Sequence, residues 1–250
     1  MKKREHTELS SPTGGQGAPV GFTWAQHLFS FYKELQPSKV LPIGITWLYP
    51  QQSTDVLTTV KTFLEKYYHD DAPRSCILGI NPGRFGAGIT GVNFTAAKQL
   101  TEECGITHSF KGGSELSAEF IYAMINAYGG VASFYSQFFI GSVCPLGFVK
   151  AGKNINYYDD KKLLQVVEPF IVRSMNQLLV PSFNREQCFC IGEEKNFKYL
   201  DKLNRQHGWF GKIVPLPHPR FIMQYRRRFV PEYIELYVQL LGGGKQDEAR

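Results

Sequence analysis

Four short apolar runs, at 76–80, 138–143, 188–191 and 212–216, punctuate this chain, and helical stripes fill the segments around them. The first run is stopped by Asn81-Pro82-Gly83, the second by Pro145 and the fourth by Pro217-His218-Pro219. Proline brings no N–H to a sheet ladder, and glycine tolerates dihedrals that a strand excludes. Thr23 is suited to cap a helix carrying Trp24, Leu28, Phe31, Tyr32 and Leu35. Ser53 is suited to cap a second, with Val56, Val60, Phe63, Leu64 and Tyr67 on one face. Further helices are predicted after Asn93, over 117–128 with Gly129-Gly130 as C-cap, over 160–179, over 193–207 ending at Gly208, and after Pro231. Pro169 falls inside the 160–179 stripe and predicts a kink or a break there. Strand and helix alternating in this way predict an α/β fold, a three-layer α/β/α domain with a central, mostly parallel four-stranded sheet. Such sheets bind ligands outside the carboxyl ends of their strands. The unusual strand ends at 81–83, 142–145 and 218–220 are therefore predicted to converge on one crevice.

The 250 residues are 43% hydrophobic, enough for one good core. A single domain is expected over 20–241, between flexible tails at 1–19 and 242–250. No apolar run approaches the ~18 residues of a membrane span, and 1–19 lacks the apolar centre of a secretory signal. The five cysteines are odd in number and scattered, which argues against a disulfide framework and for a reducing, cytoplasmic setting. Cys188 and Cys190 read as buried strand residues, because no second Cys/His pair has ligand spacing. No metal and no organic cofactor is expected. The formal net charge of +6 permits a polyanionic partner. Arg220, Arg226, Arg227 and Arg228 concentrate that charge near the C-terminus.

Gly86-Ala87-Gly88-Ile89-Thr90-Gly91 matches a dinucleotide fingerprint letter by letter but not in context. Residues 81–85 separate it from the strand, and Glu102 and Glu103 come too early for the expected acid ~20 positions on. No Lys-Ser/Thr pair completes a phosphate loop.

The same segment is more specific when read whole, as Gly79-Ile80-Asn81-Pro82-Gly83-Arg84-Phe85-Gly86 followed by Thr90-Gly91-Val92-Asn93-Phe94. Here the chain resembles the single-strand-selective monofunctional uracil-DNA glycosylase (SMUG) family of the uracil-DNA glycosylase superfamily, in a divergent bacterial-type branch. That family carries G-M-N-P-G-P-F-G and then T-G-V-P-F. The resemblance runs from about Tyr49 to Arg220 and includes Cys144-Pro145-Leu146, Gly152-Lys153-Asn154 and the His-Pro loop. It implies a monomeric DNA-repair enzyme that flips uracil out of DNA and hydrolyses its N-glycosidic bond with water. Asn81 matches the catalytic asparagine, whose amide positions the water. His218 matches the residue that donates a hydrogen bond to O2 of the departing base, a role worth ~10²–10³ in rate by analogy with an oxyanion-hole donor. Phe94 matches the aromatic on which the base stacks, at ~1–3 kcal/mol per base. Ile80 and Gly83 match residues lining the base pocket, and Phe85 is expected to pack beneath the loop. Arg220 matches the arginine that enters the duplex where the base left, while Arg226, Arg227 and Arg228 are candidates to hold phosphates. Isolated, Asn-Pro-Gly is a turn, His-Pro a surface loop and the arginines a solvated turn; their joint match carries the reading.

The chain departs from the family in two loops. Ser142 stands where the family has the asparagine that reads the pyrimidine edge. A hydroxyl alone cannot make an amide's paired donor and acceptor contact. Uracil-over-cytosine discrimination is therefore expected to be weaker, or to be carried by backbone groups. Gly141 replaces a bulky residue, which predicts a roomier pocket open to hypoxanthine or xanthine. The second loop, His218-Pro219-Arg220-Phe221, is two residues shorter than His-Pro-Ser-Pro-Arg, so Phe221 or Ile222 competes with Arg220 for the wedge position. No lysine lies in the three loops apart from Lys150 and Lys153 nearby, so no Schiff-base lyase step is expected. A purine-preferring glycosylase would show itself on a panel of deaminated bases. A catalytically weak DNA-binding protein would bind damaged DNA without releasing the base. A small-nucleotide binder would not be retained on DNA.

Overall fold

The computed structural model describes residues 23–38, 40–113, 115–179 and 182–242. The expected tail at 1–19 lies outside the described residues, as does the expected tail at 242–250 apart from Gly242. The chain begins with α1 (Trp24–Lys33), β1 (Ile45–Leu48), α2 (Thr54–Tyr67), β2 (Arg74–Gly79), α3 (Ala87–Thr90) and α4 (Ala97–Glu102). It continues through α5 (Leu116–Tyr128), α6 (Val131–Gln137), β3 (Phe138–Ser142), β4 (Gly147–Lys150), β5 (Lys153–Ile155) and α7 (Lys161–Leu178). It closes with β6 (Phe183–Ile191), α8 (Lys195–His207), β7 (Lys212–Leu216), α9 (Pro219–Tyr225) and α10 (Val230–Leu240).

The helix starts follow their caps. Thr23 and Gln26 form a reciprocal capping box, and the Asp160 carboxylate accepts from the amides of Lys162 and Leu163 at 2.9 and 3.1 Å. Ser53 stands at the N-cap of α2, but its hydroxyl makes no capping bond. α8 ends on Gly208 in the left-handed conformation. Pro169 does not divide its helix: α7 runs unbroken over 18 residues. An interior proline costs ~3 kcal/mol or more. Leu163, Val167, Phe170, Ile171, Met175 and Leu178, buried on both sides of Pro169, offset that cost.

The central sheet has the order β3-β2-β6-β7, and all three pairings are parallel. Consecutive residues of β3 and of the inner stretches 76–79 and 188–191 are buried, so both faces are covered. This is the three-layer architecture predicted. The register places strand ends level, Gly79 beside Ser142 and Ile191 beside Leu216. Beyond the strands, the amides of Val143 and Cys144 donate to the carbonyls of Gly79 and Ile80, lacing two of the predicted loops together.

A second, antiparallel sheet, β1-β4-β5, was not foreseen. Its strands have three or four residues and carry no apolar run, and β1 pairs with β4 about a hundred positions away. It brings 154–157 against the first loop.

Buried Arg74 anchors the start of β2. It is 1% exposed, donates to both carboxylate oxygens of Asp70 and to carbonyls of Tyr135, Ala72 and Tyr67, and stacks over Trp24 and Tyr68.

Candidate active site

A cavity of about 400 Å³ opens at the carboxyl ends of the central strands. Ile80, Asn81, Gly83, Phe94, Ser142, His218 and Arg220 all line it, so the three strand-end loops do converge. Arg226, Arg227 and Arg228 lie outside it, exposed on the turn after α9.

Asn81 follows β2 directly, and its amide is held on three sides. Its Oδ1 accepts from the Tyr157 amide at 3.1 Å. Its Nδ2 reaches the carbonyls of Ile155 and Pro82, both at 3.4 Å. Asn154 Oδ1 accepts from the Arg84 amide, tying β5 to the same loop. The antiparallel sheet thus orients the side chain that the parallel sheet delivers.

His218 is the N-cap of α9, and its Nδ1 accepts from the Arg220 amide at 3.1 Å. An accepting Nδ1 carries no proton, so the neutral ring carries its proton on Nε2. Burial, followed by the Arg220 charge, lowers the imidazole pKa from 6.5 to about 4. The ring is therefore an uncharged donor near neutral pH. Tyr237 of α10 fixes the loop from behind by donating to the Pro217 carbonyl.

Phe94 holds a left-handed backbone (φ 53°), which a non-glycine residue adopts only where its surroundings impose it. Its ring lies over Gly79: a Cβ there would stand 2.6 Å from Phe94 Cε2. The glycine at the end of β2 is what lets the ring form the cavity floor. Gly141 has no such role. It does not line the cavity, and a Cβ there would meet the Phe139 ring at 2.6 Å. The expectation that Gly141 enlarges the pocket is thereby corrected, since the missing side chain would point into the core.

Two further expectations change at the rim. Phe85 does not pack beneath its loop; it is 54% exposed, with the Arg84 guanidinium over its ring. Ile222 is fully buried and cannot act as a wedge, whereas Phe221 is 44% exposed at the cavity mouth beside Tyr225. Arg226 stacks over Phe221, and Arg228 over Phe229. Among the described residues, no carboxylate pairs with any of these arginines.

Several lining residues are not assigned to the site by the sequence: Asn93, Glu115, Ser117 and Asn156. Glu115 caps α5, accepting from the amides of Ser117 and Ala118. Asn93 bonds Ser142, and its signal was visible as the one departure inside the Thr90–Phe94 motif.

A neutral donor and an immobilised amide over an aromatic floor, with Arg220 in the lining and further arginines outside, suit a flat uncharged ring delivered on a polyanion. The class so defined is that of the DNA glycosylases. The profile described as the uracil DNA glycosylase superfamily matches residues 65–242. The crystal structure of wild-type SMUG2 from Pedobacter heparinus is similar at 44% identity and a TM-score of 0.85, covering 88% of this chain and 97% of that one. A search of curated protein sequences returned no match. The chain belongs to the SMUG family of the uracil-DNA glycosylase superfamily, and it is an enzyme that excises uracil from DNA. Among the described residues, no helix is long and apolar enough to cross a membrane.

Proposed function

We propose that Asn81 and His218 divide the hydrolysis between the two sides of the scissile bond. Asn81 Oδ1 keeps a lone pair free of the Tyr157 amide and holds a water against the sugar C1′. An amide is a poor base, and the cationic sugar of the transition state needs little base assistance. As the C1′–N1 bond breaks, its electron pair passes into the base, and His218 Nε2–H donates to O2 where charge collects. The water oxygen bonds to C1′, its released proton neutralises the uracil anion through solvent, and an abasic site remains. Phe94 stacks on the extruded ring. Among the described residues, no lysine lines the cavity, which supports hydrolysis without a lyase step. Extrusion itself costs a few kcal/mol. At the mouth, Phe221 fills the gap left in the stack, and Arg226, Arg227 and Arg228 hold phosphates. The cavity volume favours acceptance of hypoxanthine and xanthine beside uracil.

The single observation that carries this reading is the His218 tautomer, which leaves Nε2–H as a donor in the cavity that holds Asn81. The test is base release from labelled oligonucleotides containing uracil, hypoxanthine or xanthine, followed by alkali cleavage. Wild type is expected to release the base, with Asn81→Ala and His218→Ala each slower by ~10²–10³ while folded. Near-wild-type release by either variant would refute the assigned roles.

A further inference from the structure

Position 142 carries serine where the family pattern has asparagine, and position 93 carries asparagine where it has proline. In the fold the two departures touch. Ser142 Oγ donates to Asn93 Oδ1 at 2.8 Å, and Asn93 Nδ2 donates to the Tyr32 phenol oxygen at 3.1 Å. Asn93 and Ser142 are each 8% exposed, and both line the cavity. Tyr32, on α1, is buried in the core, and that burial raises its pKa and keeps the phenol neutral.

Hydrogen-bond capacity fixes what is left over. A primary amide has two N–H donors and a hydroxyl has one. Tyr32 takes one Asn93 N–H, and Asn93 takes the Ser142 proton. One amide N–H and the Ser142 lone pairs remain, a donor beside an acceptor. We infer that Asn93 and Ser142 together form the fork that reads the base edge, with Tyr32 as the positioning residue. The inference rests on the cavity being the base pocket. Serine alone loses the paired contact of an amide; the Asn93–Ser142 pair restores it from the α3–α4 connection and the end of β3.

The fork fits the lactam edge, an N–H beside a carbonyl. Uracil presents N3–H and O4, and hypoxanthine presents N1–H and O6. The ring N–H meets Ser142 Oγ, and the carbonyl meets the Asn93 N–H. Cytosine and adenine present the reverse, a ring acceptor beside an amino donor, and would leave buried polar groups opposed and unpaired. One fork thus accepts the deaminated bases as a class and rejects their amino parents.

The test is equilibrium binding to oligonucleotides carrying 2′-fluoro-2′-deoxyuridine or 2′-fluoro-2′-deoxycytidine, in which the fluorine blocks bond cleavage, with an abasic oligonucleotide as reference. Wild type is expected to prefer the uracil probe by roughly tenfold or more, in the range of one good bidentate contact. Asn93→Ala and Ser142→Ala should each reduce that preference to within about threefold, and the double variant should fall no further because the pair acts as one unit. Tyr32→Phe should fall between, with abasic affinity unchanged. The isosteric Asn93→Asp replaces the remaining donor with an acceptor. It should abolish the uracil preference. Asn93→Ala or Asn93→Asp retaining the wild-type preference would overturn the fork, as would a wild type with no preference. The binding ratio does not depend on cleavage. Failure of the Asn81 and His218 roles, seen as unimpaired uracil release by Asn81→Ala, is therefore recognised separately.

Discussion

His218 shows how one backbone bond sets a side chain's chemistry. By donating to Nδ1, the Arg220 amide turns the histidine from an acid–base group into a fixed donor. Protonation would require Nδ1 to give up that bond in a site where burial already penalises charge. In the proposed mechanism the neutral ring is the working form, so activity is present above its pKa and lost as pH falls through it. With that pKa at about 4 rather than 6.5, single-turnover uracil excision should persist through pH 5 and fall near pH 4. A pH–rate profile checks this, and an acid limb near 6.5 would mean that His218 is not held as described. The identities Asn81, His218 and Phe94 were all legible from their motifs. The Nδ1 bond was not, because a hydrogen bond two residues away depends on how the loop turns into α9.

At the scale of elements, α9 and the turn after it form the wall proposed to face DNA. The helix buries Ile222 and presents Phe221 and Tyr225 outward, and the following turn exposes Arg226, Arg227 and Arg228. Each arginine that neutralises a phosphate adds about 0.9 to the slope of log affinity against log salt for duplex DNA. Replacing all three by alanine should flatten the slope by up to about 2.7, leaving base preference intact. Affinity titrations across a salt series decide it, and an unchanged slope would assign the turn to solvent. The charge cluster was plain in the sequence. The choice between Phe221 and Ile222 was not, because adjacent helical residues point in different directions and only packing against the core says which way.

Across the whole molecule, Arg74 joins the end of α2, the start of β2 and the end of α6. Its guanidinium is buried against a carboxylate that is itself 38% exposed. Asp70→Asn would leave that charge without a counter-ion. A cost of roughly 2–3 kcal/mol is expected in urea unfolding, below the ~3–5 of a fully buried pair because water reaches Asp70. Arg74 lowers the Asp70 pKa, so the pair's contribution is full above the ordinary carboxylate pKa of about 3.9 and is lost as pH falls through the lowered value. A midpoint unchanged by the substitution would show the pair to be neutral. Arg74 lies two residues before an apolar run and carries no pattern that marks burial. The same limit governed the site. Local sequence determined the parallel strands and their helices, because periodicity, caps and proline stops act over a few residues. It also determined the motif at 79–94 and hence the loop that carries Asn81. Only the tertiary structure decided that the short strands at 45–48, 147–150 and 153–155 pair, that 155–157 orients Asn81, and that Asn93 meets Ser142. Apart from the pairing of 147–150 with 153–155, those contacts join residues 49 to 105 positions apart, and no local propensity encodes which distant partner a polar side chain will find.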